Sequence, residues 1–158
     1  MKTKPTHLFH YTSELRLRQI LSSEELKVSK ARIDRGEKPA LWFSLDPLWD
    51  ESAYKHFNFD DKEEQAREIG LARIVLPFFD NFITYGKWKH VSRVSPAQMM
   101  WMESNFPHYK RGSWYASFVN IPKDEFICCE VWNGEAWILY DEKNIRNFGK
   151  YEFMFKPV

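Results

Sequence analysis

The sequence predicts an α+β domain with a few short helices and a split, mostly antiparallel β-sheet. Short strand-like segments recur along the chain, but they do not alternate with helices in the regular way that builds a parallel sheet. The last third is rich in strand pattern, and its Asn133-Gly134 dipeptide favours a tight hairpin. No repeat, low-complexity tract or linker interrupts the 158 residues, so we expect residues 1–158 to form a single domain.

Local patterns place the individual elements. The predicted strands are residues 7–11, 40–44, 71–76, 114–119, 126–132, 136–140 and 151–155. The predicted helices are residues 13–22, 47–57 and 96–105, the last with Pro96 in its first turn. The acidic stretch 58–65 is predicted to be a solvated loop. Residues 23–35 are predicted to hold a short strand and then a loop that ends at Gly36.

Composition excludes some function classes and leaves others open. Lys+Arg 23 against Asp+Glu 22 gives a net charge of +1, so no global field indicates nucleic acid or membrane. Five basic residues do lie among aromatic residues, a mixture that suits a nucleic-acid groove but is also common on ordinary surfaces. They are Lys87, Lys89, Arg93, Lys110 and Arg111. With no leader pattern and no apolar run near ~20 residues, we expect a soluble, cytoplasmic protein without a membrane partner.

Several common site patterns are absent from the sequence. The six glycines are scattered, so there is neither a phosphate-binding loop nor a dinucleotide-binding fingerprint. The histidines show no metal-ligand spacing with cysteines or paired carboxylates, and we expect no metal cofactor. Cys128 and Cys129 are neighbours in a predicted strand, so their side chains point to opposite faces, and we expect two reduced, buried thiols.

Three segments carry the residues that suit a chemical role. LFHYTS at 8–13 places a histidine and hydroxyl groups at the end of a short apolar run. WFSLD at 42–46, followed by SAY at 52–54, places an aromatic pair and a serine at the end of another. GEAWILYD at 134–141 places a glutamate at the start of a late strand.

These segments, in this order, resemble the ADP-ribosyltransferases of the poly(ADP-ribose) polymerase and diphtheria-toxin type. That family opens with a strand ending in His-Gly-Thr or His-x-Thr, has an aromatic pair and a small residue on its second motif, and carries a catalytic glutamate on a late strand. The resemblance implies an ADP-ribosyltransferase-like fold that binds NAD between the halves of its sheet. It also implies a glycosyl transfer, as in the toxins, that moves ADP-ribose from the substrate NAD to a protein or nucleic-acid acceptor and releases nicotinamide.

The resemblance also implies roles for individual residues. Cleavage of the nicotinamide–ribose bond develops positive charge on the ribose, which a fixed carboxylate stabilises, and Glu135 would take that role. His10, supported by Thr12, would bind the adenosine ribose, and the main chain of Tyr11 would contact the nicotinamide carboxamide. An aromatic ring would stack on nicotinamide, and a serine would bind the carboxamide from its other side. The stacking ring would be Trp42 or Tyr54, the serine would be Ser44 or Ser52, and Phe43 would also belong to the NAD-binding site.

The chain departs from the family pattern at three points. Tyr11 follows the histidine where polymerase relatives have glycine, and Trp42 stands where tyrosine is usual. The segment from Glu135 to Tyr140 is one residue longer than in the family. Since side chains alternate along a strand, a slip of one residue would turn Glu135 away from the cleft. Glu130, on the preceding strand, is therefore the alternative carboxylate.

Other assignments stay open at this point. Arg32 and Arg35 either pair with the NAD phosphates or belong to a solvated loop. The domain is either an active transferase or an inactive binding module of the same fold that recognises a nucleotide or nucleic acid. A nuclease or RNA-processing protein that uses His10 with the basic residues around Lys110 is a further alternative. The position of Glu135 and Glu130 relative to His10 separates the active transferase from the inactive binding module.

Overall fold

The computed structural model describes residues 3–29, 36–53 and 59–153, and it confirms the α+β class with a mostly antiparallel sheet. Its strands are β1 His7–Thr12, β2 Glu25–Leu26, β3 Leu41–Ser44, β4 Ala72–Pro77, β5 Ile83–Thr84, β6 Trp114–Ser117, β7 Ile121–Pro122, β8 Cys128–Trp132 and β9 Trp137–Leu139. Its α-helices are α1 Glu14–Ser23, α2 Lys62–Glu68, α3 Tyr85–Val91, α4 Pro96–Asn105 and α5 His108–Arg111.

Seven strands form one antiparallel sheet in the order β5-β6-β3-β1-β4-β8-β9, and β2 pairs separately with β7. The central strand β1 pairs with β4 along its whole length, from His7 opposite Pro77 to Thr12 opposite Ala72. On its other side, β1 meets β3 at a single residue pair, Phe9 opposite Ser44. The sheet is therefore continuous on the β4 side of β1 and only narrowly joined on the β3 side.

The two faces of this sheet are covered by different apolar clusters, because alternate residues of each strand point to opposite sides. One face packs against α1 through Leu8, Ile74 and Phe43 together with Leu17 and Ile20. The opposite face contains Phe9, Tyr11, Trp49, Leu71 and Val75. A third cluster, built around the buried Trp88 of α3, fills the space beside β6.

Side-chain caps explain where four of the five α-helices begin, and α5 has none. Ser13, Asp61, Thr84 and Ser95 each accept a hydrogen bond from the main-chain N–H three residues ahead. Each cap satisfies a donor that the first helical turn leaves without a partner. The predicted helix over residues 96–105 coincides with α4, whose first residue is a proline.

The structure corrects several local predictions. The acidic stretch predicted as a loop contains the start of α2, because Asp61 caps it and acidic residues follow in its first turn. In the described part of the predicted helix 47–57, only Glu51–Ala53 is helical, as a 3-10 turn. Asp46 and Asp50 accept from the main-chain N–H two residues ahead, which favours turns over a helix there. Residues predicted as a last strand begin within a 3-10 helix, Gly149–Phe153.

Other differences are omissions. The sequence pattern did not predict α3 or α5, which are 7 and 4 residues long. The strand predicted within 23–35 is the two-residue β2, and residues 30–35 lie outside the described part of the chain. Over the described ranges, no helix has both the length and the apolar character that a membrane crossing requires.

Candidate functional site

His10 joins the first and second sequence segments. It lies half-buried on β1, and its Nδ1 is 2.9 Å from the carbonyl oxygen of Trp42 on β3. A carbonyl can only accept, so Nδ1 carries the proton and Nε2 of the neutral ring is an acceptor. This contact lies next to the single bridge between β1 and β3, one residue past Phe9 on β1 and two residues before Ser44 on β3.

The aromatic pair of the second segment divides between the two faces of the sheet. Phe43 is 2% exposed, and its ring lies 5.8 Å from that of His10. Trp42 is half-buried on the other face, where its ring packs 4.7 Å from that of Trp88. Thr12, predicted to support His10, is buried at the end of β1. Phe43 and His10 are therefore neighbours, whereas the ring of Trp42 contacts the α3 cluster.

Asp50 connects the two serines that were predicted to bind nicotinamide. The carboxylate is 3% exposed, and its Oδ2 accepts hydrogen bonds from Ser44 Oγ at 2.7 Å and Trp114 Nε1 at 2.9 Å. Its Oδ1 accepts from Ser52 Oγ at 2.6 Å. Sequence reasoning did not select Asp50. The signal available for it was an aspartate two residues before a serine, a spacing that favours a local side-chain turn.

The segment that follows β3 is held on the sheet by three consecutive main-chain carbonyls. Tyr11 Oη donates to the carbonyl of Asp46, and an Arg73 guanidinium nitrogen donates to that of Pro47. Trp137 Nε1 donates to the carbonyl of Leu48 at 2.9 Å. Burial raises the pKa of Tyr11 far above its ordinary value of 10.0, so its hydroxyl remains a donor at neutral pH. We call residues 46–48 with these three donors the carbonyl clamp.

Glu130, the alternative carboxylate, is bound within this region. Its Oε2 lies 2.5 Å from Arg73 Nε, and the two residues are directly opposite each other on β8 and β4. Tyr11 is opposite Arg73 on the next strand, so these three side chains share one face of the sheet. His10 contacts Phe43 on the other face.

Glu135, the predicted catalytic residue, lies exposed in the turn between β8 and β9. Asn133 Oδ1 accepts a hydrogen bond from the Glu135 main-chain N–H at 2.8 Å. Because β9 is the last strand of the sheet, this turn lies at its edge. Three other predicted site residues, Tyr54, Arg32 and Arg35, fall outside the described part of the chain.

A separate cavity of about 270 Å³ lies between α3 and α5, beside β5. Its lining is basic and polar and includes none of the predicted NAD-binding residues. The residues that line it are Thr84, Tyr85, Gly86, Lys89, His90, His108, Arg111 and Gly112. We call it the basic pocket. The fold brings His90 and His108 together with Lys89 and Arg111, two of the basic residues that the sequence places among aromatic residues.

Neither thiol is placed to act as a nucleophile. Cys128 packs with the cluster around Phe9, and Cys129 with the cluster around Leu8, so the two point to opposite faces as predicted. Burial raises the pKa of Cys129 to about 11, and burial also raises that of Cys128. In the described ranges, no three histidine, cysteine or acidic side chains are grouped to hold a metal ion.

No family model, curated protein or solved structure matches the chain. The resemblance to ADP-ribosyltransferases therefore depends on the three sequence segments. The contacts among these segments provide the geometry on which a function can be proposed.

Proposed function

We propose that the chain is an NAD-dependent ADP-ribosyltransferase that moves ADP-ribose to a protein or nucleic-acid acceptor and releases nicotinamide. The observation that carries the proposal is the narrow junction between β1 and β3, which is bridged by the His10–Trp42 hydrogen bond. The first two segments lie on the neighbouring strands β1 and β3, whereas β4 and β8 separate β1 from β9, where the third segment lies. NAD would bind where β1 and β3 separate.

His10 is suited to orient the substrate in this proposal. Its Nδ1–H is committed to the Trp42 carbonyl, which fixes the tautomer and the plane of the ring. The oriented imidazole would then contact the ribose. Asp50 supports the same proposal because it holds the hydroxyl group of the exposed Ser52 in a fixed orientation. Such preorganised polar groups favour ordered binding of a polar ligand.

Glu135 is the proposed catalytic carboxylate, and its task is to stabilise the positive charge that develops on the ribose. Its position in an exposed turn requires the β8–β9 hairpin to approach the substrate when NAD binds. Glu130 is the alternative, and its ion pair with Arg73 would have to open before it could bind a ribose hydroxyl.

A second candidate, a binding module without transferase activity, is favoured by the same ion pair. Glu130 is neutralised by Arg73 and shares a face with Tyr11 rather than with His10. A domain that binds a nucleotide through His10 without a carboxylate opposite it would retain affinity for NAD and lack turnover.

Incubation with NAD labelled in its adenylate, with protein and nucleic-acid acceptors supplied, tests both candidates. The transferase predicts label transfer and nicotinamide release that are lost in Glu135→Ala and His10→Ala. Glu125→Ala is the matched acidic control, because Glu125 is also an exposed glutamate in the last third of the chain, and this variant should retain activity. Loss in Glu130→Gln but not in Glu135→Ala would move the catalytic role to Glu130.

The remaining outcomes separate the two candidates. Calorimetric binding of NAD by the unmodified protein without transfer or nicotinamide release would support the binding module and contradict the transferase. Absence of both binding and turnover would overturn both proposals. Weaker NAD binding in His10→Ala, with unchanged folding by circular dichroism, is expected in either case.

A further inference from the structure

The basic pocket brings two cationic side chains into one small space. Lys89 and Arg111 project into it from α3 and α5, and their acidic neighbour is Glu103 on α4, at 2.9 Å from Lys89 Nζ and 3.5 Å from Arg111 NH1. Hydrogen bonding from Lys89 lowers the pKa of Glu103, so the carboxylate is charged at neutral pH. Two cations against one anion leave a net charge of +1 before the histidines are counted.

The lining also supplies hydrogen-bond donors of the kind that bind oxyanions. A lysine ammonium has three N–H donors and an arginine guanidinium has five. Arg111 uses Nε to bind the Phe106 carbonyl at 3.0 Å, which holds its side chain in place beside the pocket, and its NH1 lies 3.5 Å from Glu103. His90 and His108 are exposed residues of the same lining and add imidazole N–H donors. This set of donors fits a phosphate group.

The size of the pocket limits what it can hold. Its volume of about 270 Å³ is slightly below that of sites that enclose a drug-sized ligand, about 300–1,000 Å³. A phosphate with its attached sugar fits this space, whereas a dinucleotide such as NAD requires more. The pocket is also formed beside β5, at the opposite edge of the sheet from β9 and Glu135.

An exposed aromatic residue next to the pocket lining indicates what would carry the phosphate. Tyr109 lies on α5 between the lining residues His108 and Arg111 and is 74% exposed. Unpaired bases stack on such rings, and single-strand binding proteins combine stacking rings with a basic groove. A duplex hides the faces of its bases from such stacking, so the ring favours a single strand.

We infer that the basic pocket binds a backbone phosphate of single-stranded nucleic acid, with a neighbouring base stacked on Tyr109. Lys89 and Arg111 contact the phosphate oxygens, and Glu103, whose Oε1 lies near both cations, holds them side by side. The inference is independent of the proposed function, since the strand binds here whether or not NAD is a substrate. If the transferase is also correct, the strand is a candidate acceptor.

Fluorescence anisotropy with labelled single-stranded DNA and RNA of about 12 nucleotides tests this inference, because one such site covers about 4–16 nucleotides. Lys89→Gln should weaken binding about tenfold, the loss expected for one charged hydrogen bond. It should also reduce the slope of log K against log salt by about 0.7, the value for one phosphate contact on a single strand. Tyr109→Ala should weaken binding about tenfold through lost stacking.

Lys87→Gln is the matched control, because Lys87 is an exposed lysine of the same helix that does not line the pocket. It should change the affinity by less than about twofold, as expected for a surface charge without a direct contact. Equal losses in Lys87→Gln and Lys89→Gln would overturn the pocket as the binding site. Undetectable binding by the unmodified protein at about 0.1 M salt, or equal affinity for a duplex of the same length, would overturn the inference as a whole.

Discussion

Arg73 and Glu130 form an ion pair across β4 and β8, with Arg73 Nε 2.5 Å from Glu130 Oε2. The side chains are 11% and 18% exposed, so water screens the pair only weakly. The guanidinium lies 4.5 Å from the ring centroid of Phe9 and 4.6 Å from that of Trp137. It also donates to the Pro47 carbonyl in the carbonyl clamp. Glu130 therefore stabilises the cation that fastens the segment after β3 to the sheet.

Glu130→Ala should lower the free energy of unfolding by about 3 kcal/mol, because it leaves a mostly buried guanidinium without its anion. Urea denaturation measures this loss. Asp80→Asn is the control, since the Lys4–Asp80 pair is 78% and 96% exposed and should contribute little. A double variant, Arg73→Met with Glu130→Leu, should lose less stability than Glu130→Ala. Equal losses in Glu130→Ala and Asp80→Asn would contradict the role of the buried pair.

Asp50→Ala should also destabilise the fold, by about 3 kcal/mol, because it leaves Ser44 Oγ and Trp114 Nε1 buried without their acceptor. Ser52 bonds the same carboxylate from an exposed position, so Ser52→Ala should cost less than about 1 kcal/mol. Urea denaturation of the two variants compares their losses of unfolding free energy. A loss in Ser52→Ala as large as that in Asp50→Ala would show that the exposed bond, not the buried pair of donors, stabilises the segment.

Much of the fold was predictable because its signals are local. Pro96, preceded by the capping Ser95, predicted α4 with its bounds, and Asn133-Gly134 predicted the β8–β9 hairpin. The missed helices lack such periodicity. In α3, only Tyr85 and Trp88 are buried, and in α2 only Gln65 is, so neither shows an apolar stripe in the sequence. Their caps alone were too common a pattern to indicate a helix.

The candidate site was less predictable because its contacts are long-range. The order of the motifs suggested that His10 and Trp42 would be close, and the structure joins them by a hydrogen bond. In the carbonyl clamp, Tyr11 and Trp137 donate to main-chain carbonyls of one loop. A main-chain acceptor is present at every residue, so the sequence contains no pattern that predicts these contacts. The basic pocket likewise needs α3 and α5 to pack side by side, and His108 had no sequence signal that related it to Lys89.

Glu14 should make the stability depend on pH in a direction opposite to that of a carboxylate whose pKa is lowered in the folded state. Burial raises its pKa above the ordinary value of 4.5, against the attraction of Arg146 and Arg18. The folded state therefore holds the proton more tightly than the unfolded state, and stability is lost as pH rises through the folded pKa. Glu14→Gln should gain stability relative to the unmodified protein between pH 4 and pH 7, and the gain should be smallest at pH 4.

Urea denaturation of both proteins across this range measures the difference, which cancels the titration of other groups. Glu63→Gln, an exposed acidic residue in the first turn of α2, controls for the removal of one negative charge. A difference between Glu14→Gln and the unmodified protein that does not change with pH would contradict the prediction.

Gly70 should tolerate no side chain, for two separable reasons. Its φ of +75° is strained for other residues, and a Cβ there would lie 2.5 Å from Glu14 Cβ and 2.9 Å from Phe148 Cζ. Gly70→Ala should therefore cost about 1 kcal/mol for the backbone and about 2 kcal/mol more for the displaced neighbours. Gly149→Ala isolates the first term, because Gly149 has φ +59° with no atom within 4 Å of the added Cβ. Urea denaturation should show a loss near 1 kcal/mol for Gly149→Ala. Equal losses at the two positions would mean that the helix start at Glu14 moves aside without cost.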